Sequence, residues 1–362
     1  MDFVAVARAK EAVRRTTRVG AALAALLAAL APALADDWGM GAANRKIPQT
    51  SIFTTVTTPG DEVKTLALFV LAITAVIFVI VGGLLAYSVV RFRSRPDDDG
   101  REPPQVYGSN PVEFAWTTVP TLIVFVLILT TARTIYTVQA APRPPGAIGV
   151  RVVGHQWWWE FQYPDLGIVT ANELHIPLSD PHHPTPTFLE LESADVAHSF
   201  WVPRLAGKTD LIPNKKNAMW IDPREPGTYL GQCAEYCGTE HALMLLRVVV
   251  HPRDAWERWV AAQQQPAMQD GSVARGRAVF ESTACINCHT VRGTVATGQF
   301  GPDLTHLMSR ETLGAGVALN TPEHLKIWVN DPRVMKPGAL MPAMNLAQND
   351  LDDLVAYMTT LR

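Results

Sequence analysis

The sequence predicts a multi-domain chain: a two-helix transmembrane hairpin, an all-β barrel or sandwich, and a small all-α domain. Three observations carry this. Two uncharged apolar stretches lie close together, at 65–90 and 114–132. Short apolar runs punctuated by Pro and Gly fill 147–252. From 272 to 362 the chain reads as short helices around a single cysteine–histidine motif.

Composition agrees. The 362 residues allow two or three units at roughly 150 residues each. Hydrophobic residues make up 48% and charged residues only 18%, which argues against disorder or a fibrous protein. The formal net charge of −3 offers no basic excess for nucleic acid. A mean hydropathy of +0.08 is too low for a many-span transporter and high for a soluble enzyme. A few spans carrying a large water-exposed part fit that balance.

The elements follow in order. Arg14, Arg15 and Arg18 precede an uncharged Ala/Leu-rich stretch at 19–35 that ends Ala33-Leu34-Ala35. That is the pattern of a secretory signal with its small-residue cleavage site, and a third membrane helix is the alternative. We expect a signal peptide at 1–35 and an exported segment at 36–61. As a helix, 65–90 would rise about 39 Å, enough to cross a hydrocarbon core of about 30 Å. The second stretch reaches about 28 Å, extended by its flanks. The expected spans are 62–91 and 112–138. Between them a loop at 92–111 carries Arg93, Arg95 and Arg101, which marks it as cytoplasmic. Everything after about residue 137 is then extracytoplasmic.

A Pro-rich linker at 140–146 leads into the β domain at 147–252. Regular short strands with turn residues between them suggest a barrel or sandwich. This segment holds seven Lys and Arg against twelve Asp and Glu, whereas 272–362 is balanced at eight and eight. A helical, polar linker is expected at 253–271.

The four cysteines form two tight pairs. The first lies in Gly231-Gln-Cys233-Ala-Glu235-Tyr-Cys237-Gly-Thr-Glu-His241-Ala-Leu-Met244, with His198 upstream in Asp195-Val-Ala-His198. Thiolate, imidazole and thioether together select copper in electron-transfer sites. Gly231 and Gly238 flank the cysteines, so a loop between strands suits the spacing better than a helix. A Cys233–Cys237 disulfide and a structural zinc site are the alternatives, and zinc leaves the methionine unexplained. The second pair is Cys285-Ile-Asn-Cys288-His289, the CxxCH pattern of covalent haem attachment with His289 as iron ligand. The other iron ligand should be a methionine, from Met341 or Met344. We choose Met341.

On these residues the chain resembles subunit II of the haem–copper cytochrome c oxidases, over roughly residues 50 to 252. Its C-terminal part resembles class I cytochromes c, in which Met-Pro precedes the last helix, here 350–358. The resemblance implies a cupredoxin-like β domain with a dinuclear copper A centre and a fused cytochrome c domain with one covalent haem c. Cys233 and Cys237 would bridge the coppers, His198 and His241 would cap them, and Met244 and the Glu235 carbonyl would be weak ligands. Two coppers that share one electron change their bond lengths little, so electron exchange is fast. The Glu235 carboxylate would reach a magnesium ion shared with subunit I, because one carboxylate cannot hold Mg²⁺ alone. Pro302, in Gly301-Pro302-Asp303, would accept a hydrogen bond from the haem-ligating histidine.

Two further residues carry roles by resemblance. Gln156-Trp157-Trp158-Trp159 matches an aromatic patch, with Trp157 at the family's electron-transfer tryptophan. Trp158 stands where the family has Tyr. Three consecutive tryptophans cannot all bury on one strand face, so at least one is exposed or at an interface. Glu113, at the cytoplasmic start of the second span, matches a glutamate at the mouth of a proton path into subunit I. His175, His182, His183, His306 and His324 receive no role.

The implied protein is the electron-input subunit of cytochrome c oxidase, a two-pass protein of the bacterial cell membrane with both domains on the periplasmic side. A soluble or membrane cytochrome c would reduce its haem. Electrons would pass to copper, then near Trp157 into subunit I, beside subunit III, where oxygen becomes water with proton translocation. Fusion would keep the haem at a high effective concentration set by the linker. Two other classes stay open: a copper A subunit of a nitric oxide reductase, and a carrier or copper-delivery protein without an enzyme partner.

Overall fold

The computed structural model describes residues 50–93, 102, 105, 107–140, 143–180, 185–268 and 270–362. The expected signal peptide, most of the expected cytoplasmic loop, and His182 and His183 lie outside the described residues.

Two long helices come first, α1 (Thr58–Arg91) and α2 (Asn110–Gln139). Thr57 caps α1 by accepting from the Gly60 N–H at 3.1 Å, and Pro59 occupies its first turn. Apolar residues surround both helices and almost none is buried, as expected of helices whose solvent is lipid. Both helices begin or extend a few residues outside the expected spans, where capping residues continue the hydrogen-bond ladder.

The ends of the helices on one side are tied to the β domain. The Thr58 N–H donates to Asp222 at 2.7 Å, and the chain just before it pairs with Arg204 and Arg224. The Trp220 indole donates to the Val138 carbonyl at 2.6 Å, which satisfies one of the carbonyls that a helix C-terminus leaves free. The hairpin therefore carries the β domain at its two connected ends.

The β domain is a sandwich of two five-stranded sheets. One is ordered β3–β2–β1–β5–β8, from Ile168–Ala171, Trp158–Tyr163, Gly149–His155, Thr187–Ser193 and Asn217–Ile221. The other is ordered β4–β10–β9–β6–β7, from Glu173–Pro177, Leu245–His251, Gly227–Cys233, His198–Trp201 and Thr209–Leu211. Alternation sends Trp159, Phe161 and Tyr163 of β2 and Leu246, Val248 and Val250 of β10 into the shared core. The tryptophan triplet is resolved in this way: Trp159 is wholly buried, Trp158 stacks on His155 at 4.2 Å, and Trp157 is half-buried.

The linker is more than a polar spacer. Helix α3 (Arg253–Gln263) buries Trp256 and lays Trp259 against Tyr163 and His175 of the sandwich. The C-terminal domain follows, with α4 (Ala274–Ser282), a short turn α5 (Cys285–Cys288), a small hairpin of β11 (Thr312–Leu313) and β12 (Ala318–Leu319), α6 (Pro322–Asn330) and α7 (Gln348–Met358). Phe280, Leu325, Leu351 and Leu354 form its core. This domain packs against the sandwich through buried contacts. Contacts with α3 and with the sandwich set its position.

Candidate copper and haem centres

The hairpin of β9 and β10 builds the first site. Cys233 ends β9, Met244 immediately precedes β10, and the Cys233 N–H donates to the Met244 carbonyl at 3.0 Å to close the loop between them. Strand β6 pairs with β9, with Phe200 opposite Cys233, which brings His198 to the same end of the sheet. A single 3₁₀ turn over His241–Leu243 turns His241 back toward the cysteines.

The donors converge. Cys233 Sγ lies 3.7 Å from Cys237 Sγ, 3.9 Å from His198 Nδ1 and 3.2 Å from the Glu235 carbonyl oxygen. Cys237 Sγ lies 3.7 Å from His241 Nδ1 and 3.8 Å from Met244 Sδ. A disulfide needs about 2.05 Å between sulfurs, so the alternative of a cystine here is set aside. Two sulfurs bound to one metal at about 2.3 Å each stand about 3.7 Å apart at a tetrahedral angle, the separation found here. The donor set of thiolates, imidazoles and a thioether fits copper.

Electrostatics favour a thiolate. The neighbouring Cys237 thiol, with His198 alongside, pulls Cys233 down to about 3, and Cys233 in turn pushes Cys237 up. Burial alone would lower His198, but the Asp195 carboxylate at 2.8 Å from its Nε2 and the Cys233 sulfur outweigh it and raise its pKa. Asp195 fixes the ring so that Nδ1 faces the sulfur. It also accepts from the Gln156 N–H at 2.6 Å.

The aromatic segment touches the copper loop directly. Gln156 Nε2 and Trp157 Nε1 both donate to the Cys237 carbonyl, at 2.8 and 2.9 Å. Gly238 allows this approach: its φ is +117°, and a Cβ there would sit 3.0 Å from both side chains.

The second site is a cavity of about 390 Å³ in the C-terminal domain. Cys285, Cys288 and His289 line one part of it and Met341 and Met344 another, within apolar walls. His289 Nδ1 donates to the Pro302 carbonyl at 2.7 Å, which leaves Nε2 as its free ligating nitrogen. Burial lowers the His289 pKa, and the Pro302 carbonyl opposes that only in part, so the ring stays neutral as a metal ligand must. A Cβ on Gly301 would stand 2.6 Å from the ring, so glycine makes room for it. Neither cysteine is in a disulfide. The large apolar cavity with two free thiols and a neutral imidazole fits a covalently attached haem. Of the two methionines, Met344 also packs on the domain core.

Trp157 and Trp158 line the same cavity. Trp157 therefore lies between this cavity and the copper loop.

The remaining sites are peripheral. The Glu235 carboxylate is half-exposed and pairs with Lys208 at 3.6 Å. Glu113 accepts from the Ser109 N–H at 3.2 Å at the start of α2, a capping contact. His306 bonds to the Gln265 carbonyl and His324 to the Leu319 carbonyl, so both serve local structure. Sequence reasoning missed Asp195 and Gln156 as supports of the copper loop. The spacing Asp195-x-x-His198 was the only signal for either.

Comparisons with known proteins place these features in a family. The transmembrane domain of cytochrome c oxidase subunit II matches residues 49–132, its periplasmic domain matches 181–251, and cytochrome c matches 273–362. Cytochrome c oxidase subunit 2 of Alkalihalophilus pseudofirmus is 34% identical over 295 residues, covering 80% of this chain and 84% of that one. The chain belongs to the cytochrome c oxidase subunit 2 family. The subunit 2 of Bacillus sp. strain PS3 is 33% identical over 291 residues, covering 75% of this chain and 80% of that one. A crystal structure of the periplasmic domain of cytochrome oxidase subunit II from Bradyrhizobium japonicum matches with 26% identity and a TM-score of 0.31, covering 34% of this chain and 97% of that one. As a subunit 2 with a cytochrome c domain, the protein is part of an oxidoreductase, works in respiratory electron transport and assembles with other oxidase subunits. Its domains are those that carry copper A and haem.

Proposed function

We propose that this chain is the electron-input subunit of a proton-translocating cytochrome c oxidase. It would accept electrons from a soluble or membrane-bound cytochrome c on the periplasmic side of the bacterial cell membrane and deliver them to subunit I, with subunit III alongside. Loaded, the two centres supply reversible one-electron oxidation and reduction. Oxygen reduction belongs to subunit I.

The residues divide the work. Cys285 and Cys288 would anchor the haem, and His289 and Met341 would ligate it. Pro302 holds the His289 ring. Cys233 and Cys237, with His198, His241, Met244 and the Glu235 carbonyl, would hold two coppers. The Glu235 carboxylate, paired with Lys208 here, would be free to help hold a magnesium shared with subunit I. Glu113 serves the mouth of a proton path.

The observation that carries this reading is Trp157. Its ring lines the haem cavity while its Nε1 donates to the Cys237 carbonyl at 2.9 Å. One side chain thus joins the two candidate centres, as an internal relay requires. The test is to photoreduce the haem in the purified oxidase and follow the copper near-infrared band. Wild type should show internal transfer, and Trp157→Leu should slow it at least about tenfold, because small misplacements of reacting groups are costly. Absence of internal transfer in the wild type would overturn the reading.

A further inference from the structure

Two buried charged side chains, one from each domain, are satisfied across the contact between the sandwich and the cytochrome c domain. Lys336 is 3% exposed and stands five residues before Met341. Its ammonium donates to the carbonyls of Trp157 at 2.7 Å and Leu243 at 2.8 Å in the sandwich, and of Gly314 at 3.1 Å in its own domain. Three acceptors suit its three N–H groups. In the opposite direction Glu173, 1% exposed on β4, accepts from the N–H groups of Glu311 at 2.9 Å and Thr312 at 3.0 Å, and from the Thr312 hydroxyl at 3.1 Å.

Two further hydrogen bonds cross the same contact. The Leu245 N–H donates to the Ala315 carbonyl at 3.0 Å, and the Gly338 N–H donates to the Glu240 carboxylate. The acceptors of Lys336 are placed tellingly. Leu243 lies between His241 and Met244 in the copper loop, and Trp157 is the residue that joins the centres.

Burial makes both charges costly when unpaired. It pulls Lys336 down to about 7 against the opposing pull of Glu240, and it pushes Glu173 up. A docking pose shifted by one residue would bury an ammonium or a carboxylate without partners. Such a pose is rejected, which is how buried polar groups confer specificity on a contact.

We propose that Lys336 and Glu173 are positioning residues that lock the cytochrome c domain in one register against the copper loop, which keeps Trp157 fixed between the two centres. The inference rests on the relay reading above. It assigns the fused domain a single docked geometry.

The test uses the full chain in the purified oxidase, with Lys336→Met and Glu173→Gln. The first readout is backbone hydrogen exchange at Thr312, Gly338 and Leu245, whose N–H groups donate across the contact. Exchange there should accelerate at least about tenfold in either variant, while the haem and copper spectra stay as in the wild type. The second readout is the viscosity dependence of haem-to-copper transfer. It should be absent in the wild type and appear in the variants, because an unlocked domain must find its place by diffusion. Exchange within about twofold of wild type in both variants, with transfer still independent of viscosity, would overturn the lock. Should Lys336→Met fail to accumulate, Gly338→Ala replaces it, since the new Cβ would come within 2.7 Å of Glu240 Oε1. Unchanged exchange in Gly338→Ala would equally overturn the lock. A wild type without internal transfer would sink the relay reading, and the exchange data would still decide the lock.

Discussion

In the copper loop every candidate donor stands within 3.9 Å of a cysteine sulfur, whereas in the cytochrome c domain the candidate ligands line a cavity of about 390 Å³. The difference reflects the size of what is held. Metal ions are small, so the sandwich core closes around the cysteines and Met244, all of them buried within it. A haem is as large as several side chains and becomes part of the core itself. The copper domain should therefore keep its fold without its metals, and the cytochrome c domain should not keep its fold without its haem.

The largest expected effect breaks this comparison if it fails. Cys285→Ser combined with Cys288→Ser should abolish covalent haem and leave the region from 272 onward open to protease, while the sandwich stays resistant. The cavity would then be an unfilled void, far larger than the voids that already cost several kcal/mol in protein cores. Equal protease resistance in both regions would show that the haem contributes nothing to folding.

Cys233→Ser should remove the copper absorbance completely and leave the c-type haem spectrum and the folded sandwich in place. Retention of purple mixed-valence copper would reject the ligand assignment. Met341→Ala should abolish the sulfur-to-iron band near the red end of the spectrum, and Met344→Ala should keep it. The reverse outcome would move the ligand to Met344.

The smallest effect concerns the joint between the two regions. His175 is buried against His251, with a ring nitrogen contact of 2.8 Å, and stacks on Trp259 at 4.5 Å. Glu173 and Arg310 also face it. Burial, with His251 and Arg310 adding to it, holds the His175 pKa well below 6.5. Below about pH 6.5 the unfolded chain binds a proton that the folded chain refuses, so stability falls as the pH drops. The slope is at most about 1.4 kcal/mol per pH unit for this one group. Thermal midpoints at pH 7.5 and 5.5 check it: wild type should lose more than His175→Phe. Burial raises Glu173, which works in the opposite direction, but it does so in both proteins.

Much of the site was legible in the sequence, because both cofactor patterns are local. Cys233 to Met244 spans one hairpin loop, and Cys285 to His289 spans one turn, so spacing alone brings these donors together, while His198 and Met341 come from farther along the chain. The spans were legible because lipid demands unbroken apolar length. The rest was hidden for two physical reasons. Lys336 and Glu173 bond to backbone groups 22 to 179 residues away, and a backbone group has no residue identity to recognise. The fate of each tryptophan in the triplet depends on strand register: Trp159 points inward in the register that pairs it with Gly154 of β1. The linker likewise read as polar, yet Trp256 and Trp259 pin its helix to the sandwich.

The central claim is that one polypeptide holds a two-copper thiolate cluster and a covalent haem side by side. Copper and iron quantified in the same purified chain test it most directly. The expected result is two copper atoms for each iron, with all four cysteines engaged by cofactors. One copper or none per iron, or Cys233 and Cys237 recovered as a disulfide from the loaded protein, would contradict it.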